Sequence, residues 1–119
     1  MRIQSDEPIP DCVEAQLKSG SAGTLMGLRG AVLGGEALDV KKSASIGQIH
    51  IVPPRGGSEK PAGEWNRYKI TIQGGNVRAF LNGELANEAT GAEVVPGAIG
   101  FQSEGGVIEF RRMELTVLD

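Results

Sequence analysis

Apolar and polar residues alternate with a period of two along several short stretches, the spacing that sends successive side chains to opposite faces of a β-strand. In residues 12–18, Val13, Ala15 and Leu17 fall on one face and Glu14, Gln16 and Lys18 on the other, which predicts a half-buried strand with one polar face. The pattern is clearest where Tyr68, Ile70 and Ile72 alternate with Arg67, Lys69 and Thr71 before Gly74-Gly75, followed by Val77, Ala79 and Leu81. That spacing predicts a hairpin. Asn82-Gly83 comes next, a dipeptide suited to the positive φ values of a type I′ turn, so residues 84–88 are expected to return beside 77–81 and complete a meander.

Two further strands are predicted after Pro96-Gly97, over AIGFQ (98–102) and over VIEFRRMELTVL (107–118). In the second, Ile108 and Phe110 hold one phase and Met113, Leu115 and Val117 the other, which predicts a β-bulge near Arg111 and Arg112. Residues 29–63 mix short apolar pieces with Gly, Pro and Ser and are expected to be loop with short strands near 37–40 and 48–52. With 18 glycines and six prolines, few stretches are long enough for a helix. Many short strands joined by turns predict an all-β sandwich. No internal repeat or low-complexity tract interrupts this scheme.

At 119 residues there is room for one domain, and a charged fraction of 23% matches a soluble globular chain. The net charge of −3 and the lack of a Lys/Arg cluster argue against nucleic acid and acidic lipid as partners. No apolar run approaches the ~18 residues of a membrane-spanning helix, and MRIQSDEPIP has neither the basic nor the apolar region of a signal peptide. A cytoplasmic location is therefore expected for the chain as it stands, or a secreted or periplasmic one if an amino-terminal part is missing. One cysteine, Cys12, excludes an intrachain disulfide, and one histidine, His50, excludes a multi-histidine metal centre within a subunit.

The motifs Gly63-Glu64-Trp65-Asn66, Leu81-Asn82-Gly83, Gly97-Ala98-Ile99-Gly100-Phe101-Gln102 and Phe110-Arg111-Arg112-Met113 occur in this order, behind Val13-Glu14-Ala15-Gln16-Leu17 and Ala22-Gly23-Thr24-Leu25-Met26-Gly27. Together they resemble the 3-keto-disaccharide hydrolase family. The resemblance implies a concanavalin A-like jelly-roll β-sandwich, here a single domain over 1–119 shortened at its amino terminus, since sandwiches of this kind often run to roughly 200 residues. Residues 22–27 match a turn of the family. The chain departs from the family pattern at Glu104, where a histidine is expected, at Met26, where a tyrosine is expected, and at Arg112, where an asparagine is expected.

The resemblance further implies binding of a saccharide on the concave sheet face and cleavage of a 3-keto-glycoside. The C3 ketone acidifies the C2 proton, a base removes it, the glycosidic oxygen leaves and water adds back. Such chemistry needs a carboxylate or imidazole near C2 and a cation or donor for the enolate oxygen. Glu14, Glu104 and Arg111 are the candidate catalytic residues, and Gln16, Gln102 and Trp65 the candidate substrate-binding ones. A divalent metal is the cofactor the resemblance allows.

Each candidate has a plainer alternative: Glu14 as a solvated strand carboxylate, Arg111 as an ion-pair partner near Glu109 and Glu114, Glu104 as a turn residue, and Trp65 as core packing at a strand start. Tyr68 is a second aromatic suited to stacking on a sugar ring. His50, between Ile49 and Ile51, is expected on the surface, and the glycines of GLRGAVLGG lack the surroundings of a phosphate loop. The alternative function is a non-catalytic carbohydrate-binding or assembly module. A shortened sandwich leaves sheet edges and an apolar face bare, so a homodimer is expected.

Overall fold

The computed structural model describes residues 11–94, 97–102 and 106–118. The chain divides into two compact units, Ile9–Val94 on the one hand and Met1–Pro8 with Val95–Asp119 on the other. The first holds seven strands: β1 (Cys12–Ala15), β2 (Leu25–Leu28), β3 (Asp39–Ser43), β4 (Gly47–Val52), β5 (Tyr68–Gln73), β6 (Asn76–Leu81) and β7 (Glu84–Ala89). They form two antiparallel sheets, one in the order β1-β2-β4-β3 and one in the order β5-β6-β7. No helix occurs among the described residues, and the fold is all-β, with two facing sheets compatible with a β-sandwich.

The meander forms as its turns require. Gln73 pairs with Asn76 and Leu81 with Glu84, leaving two-residue loops. Gly74 and Gly75 have φ of 57° and 88°, Asn82 and Gly83 of 52° and 85°, the left-handed pair of a type I′ turn, whose twist matches that of the strands. The bulge of this sheet lies in β7. Ala79 faces Asn87 while Phe80 faces Leu85, so Ala86 is the extra residue. Its carbonyl accepts hydrogen bonds from the N–H groups of Arg55 (2.8 Å) and Gly56 (3.1 Å). Further along the same edge, Gly34 and Thr90 exchange two backbone hydrogen bonds of 2.8 Å each.

Leu25 and Val52 of the first sheet pack with Val77, Ala79 and Ala89 of the second and with Leu33 from the β2–β3 connection. This core fixes which face of each strand is inward. Ala15, Leu25 and Val52 share a row of the first sheet, so their neighbours Glu14, Met26 and Ile51 face away from the second sheet.

Several expectations need correction. Of residues 22–27, expected as a turn, Ala22 and Gly23 do turn, while Leu25–Gly27 enter the strand β2, held between β1 and β4. β1 ends at Ala15, although the ladder runs one step further through Gln16 N–H to the Thr24 carbonyl (2.9 Å). The strand expected near 37–40 lies at Asp39–Ser43. In the second unit, the described residues of 98–102 and 107–118 form no strand beyond a single bridge residue at Phe101, and the bulge expected at Arg111 is absent. Arg112 instead has φ of 53°, a left-handed conformation that breaks an extended run at the point where the apolar phase changes.

His50 is not on the surface. It is 8% exposed, because Val52 sets the inward phase of β4 and His50 shares it, while Ile49 and Ile51 face outward. Trp65 does not pack in the core. It is 44% exposed, in the connection before β5 rather than in the strand.

Candidate functional site

The outward face of the first sheet is organised in rows by strand register. Glu14, Met26, Ile51 and Asp39 form one row across β1, β2, β4 and β3, and Cys12, Leu28, Ile49 and Lys41 form the next. Met26, Ile49 and Ile51, each partly exposed, therefore make an apolar strip down the middle, with Leu28 buried beside them. Glu14 and Cys12 flank it on one side, Asp39 and Lys41 on the other, the last two paired at 3.8 Å. Three interstrand spacings separate Glu14 from Asp39, roughly 14 Å between backbones, wider than the paired carboxylates of ordinary glycosidases, at about 5–9.5 Å. The face suits a mechanism with one carboxylate base better than one with two.

Glu14 is half-buried, and Gln16, in phase with it two residues on, is half-buried as well. The backbone of Gln16 is held on both sides, its N–H by Thr24 and its carbonyl by Gly23 N–H at 3.2 Å. The Tyr68 hydroxyl donates to the same carbonyl at 3.5 Å, linking β5 to the end of β1. Tyr68 thus faces the sandwich interior, where no sugar ring stacks. Burial pushes its hydroxyl up to about 12, with the Gly23 backbone pulling slightly the other way. The Cys12 thiol is also raised, first by burial and then by the negative charges of Glu14 and Asp11. It stays protonated at neutral pH and is a poor nucleophile.

Trp65 is positioned by its neighbours. Asn66 Oδ1 accepts from Lys60 N–H (2.8 Å) and from Asn82 Nδ2 (2.8 Å). Asn82 also donates to the Ser58 carbonyl and accepts from Arg67 N–H at 2.8 Å. The two motifs that end in Asn66 and contain Asn82, sixteen residues apart in the chain, are thus joined by a direct hydrogen bond that anchors the connection carrying Trp65. Glu59 fixes the other end of this connection, accepting from Gly20 N–H at 2.7 Å and Ala22 N–H at 3.1 Å.

Gln102 and Arg111 belong to the second unit. There the Phe101 and Phe110 rings meet with centroids 5.0 Å apart and planes inclined at 58°, so each candidate follows directly on one of the paired rings. Glu104 lies outside the described residues.

Sequence reasoning missed three residues that shape the first unit. Asp39 enters only through the register that sets it across from Glu14. Glu59 looks like any loop carboxylate. Asn87 is fully buried and donates from Nδ2 to the Gly23 (3.0 Å) and Val52 (2.7 Å) carbonyls. The one available signal was an asparagine in phase with Ala89 on a strand whose inward face is otherwise apolar.

Among the described residues, no three His, Cys, Asp or Glu side chains gather so as to hold a metal ion, so the divalent metal that the resemblance allows finds no ligand set among them. No helix among them is long and apolar enough to cross a membrane. No curated protein and no solved structure matches the chain. A family model does: the 3-keto-alpha-glucoside-1,2-lyase-like domain matches residues 1–116. With its two antiparallel sheets and the ordered motifs of its strands and turns, the chain belongs to this family, whose fold is concanavalin A-like and whose domain suggests a carbohydrate-active function of the 3-keto-glycoside type.

Proposed function

We propose that this protein binds a 3-keto-glycoside on the outward face of the first sheet and that Glu14 is the base that removes the C2 proton. The observation that carries this reading is the position of Glu14: half-buried, facing away from the second sheet, and in register with Met26 and Ile51. An apolar strip with the Glu14 carboxylate at its side suits a pyranose, whose ring carries apolar C–H faces and whose acidified proton must meet a base within hydrogen-bond reach. The C2–H electron pair moves toward the C3 ketone as the carboxylate takes the proton. The C1–O bond then breaks, the leaving alkoxide is protonated, and water adds across the new double bond. Gln16 supplies an amide to a sugar hydroxyl on the same side of the strand, and the exposed Trp65 offers a ring for stacking.

Incubation with a 3-keto-glucoside and a divalent metal salt is expected to release the aglycone. Glu14→Gln keeps size and hydrogen bonding but removes the base, and is expected to lower the rate by about 10²–10⁴-fold. A rate unchanged in that variant removes Glu14 from the mechanism.

A second reading, a non-catalytic saccharide-binding or assembly module, is favoured by Met26. It stands directly opposite Glu14, where the family pattern has a tyrosine, and a thioether can neither donate nor relay a proton. Sugar binding without turnover in the same assay selects this reading.

A further inference from the structure

The two long edges of the three-stranded sheet are finished differently. At β7 the backbone is met by Gly34, Arg55 and Gly56. At β5, among the described residues, the only strand partner is β6. Two isoleucines of β5 lie on the inward face, in register with buried Val77 and Ala79, yet Ile70 is 46% and Ile72 is 63% exposed. No strand of the first unit covers this side. We propose that a second copy of this chain covers it, with β5 pairing antiparallel to β5 of the partner about a two-fold axis at Thr71.

The register follows from hydrogen-bonding parity, side-chain facing and charge. The two-residue turn makes Gln73 and Asn76 a hydrogen-bonded pair, so Thr71 also bonds toward β6, and the N–H and C=O groups of Ile70 and Ile72 point to the open edge. Only registers that set these residues opposite one another satisfy both edges. Centring on Thr71 places each Ile70 against an Ile72 of the partner, both on the inward face, and each Lys69 against an uncharged Gln73. Centring on Ile70 brings the two Lys69 residues to diagonal positions about 7–8 Å apart. Centring on Lys69 sets them face to face, and centring on Ile72 leaves Ile70 facing Gly74. Of the registers that set both isoleucines against partner side chains, the Thr71 register keeps the lysines furthest apart. It also closes an edge that would otherwise template open-ended pairing, since a two-fold contact consumes the edge in one step.

In light scattering at micromolar concentration the protein is expected at twice the 12.5 kDa chain mass. Ile72→Lys, at an exposed position, is expected to return the mass to that of one chain with the strand signal in circular dichroism retained. The register has its own test in a Cys12→Ser background. Thr71→Cys sets two thiols across the axis with backbones about 4.5 Å apart, within disulfide reach, and is expected to form a covalent dimer on mild oxidation. Lys69→Cys sets them about 13 Å apart along the strands and is expected to stay reduced. A 12.5 kDa mass for the parent chain, or cross-linking by Lys69→Cys as fast as by Thr71→Cys, overturns the proposal. Should Ile72→Lys fail to fold, the cross-linking pair decides alone.

Discussion

Single side chains carry connections in this protein that its small core cannot. Asn87 occupies a core position facing Ala79, and its amide satisfies carbonyls of Gly23 and Val52 that no water can reach from the sandwich interior. Asn87→Ala removes the donor and leaves two buried acceptors. It is expected to lower stability by about 1–3 kcal/mol in urea denaturation, more than the loss of three side-chain atoms in an open strand would. Tyr68 makes a second such connection, with a pH dependence whose sign is fixed by its raised value. Its hydroxyl titrates near 12 in the folded chain and near 10 when unfolded. Between those values the folded state holds the proton that the unfolded state has lost, so stability falls as pH rises through that window and is fully present below it. Equilibrium unfolding followed from pH 9 to 12 is expected to show this decline, and Tyr68→Phe to flatten it.

At the scale of strands and turns, local chemistry governs where it is strong. Gly75 illustrates this: its φ is 88°, and a Cβ there would stand 2.9 Å from the Ala92 carbonyl oxygen. Gly75→Ala is expected to cost about 1–2 kcal/mol from the left-handed conformation, plus whatever the carbonyl contact adds. Gly74→Asn, with φ of 57° and open space around it, is expected to leave the urea midpoint nearly unchanged. The same local rules made the β5–β7 meander legible in the sequence, since two-residue turns and alternation each fix the other. Alternation also gave Glu14 and Gln16 their common face. It misled over 107–118, because a period of two states which face a residue would take in a strand but supplies no partner edge. At His50, alternation was present but its phase was not. The apolar residues on both sides look like the inward ones until Val52, packed against the second sheet, sets the register. The bonds of Asn66 with Asn82 and of Asn87 with Gly23 join residues far apart in the chain, and no local pattern announces them.

Across the whole molecule, the division of the core between the sheets has a consequence for synthesis. Leu25 and Val52 are made well before Val77, Ala79 and Ala89, their packing partners. During translation, at about 5–20 residues per second, the first sheet therefore waits some seconds with its inward face uncovered. The meander that ends the wait is the most local part of the fold, with two tight turns and nearest-neighbour pairing. Sheets of this kind assemble quickly because little loop entropy is lost before contacts form. The late half of the chain thus acts as a template already shaped when it meets the early half, and the interval in which a nascent chain could be captured by a chaperone, or by another nascent chain, is set by when Ala89 leaves the ribosome.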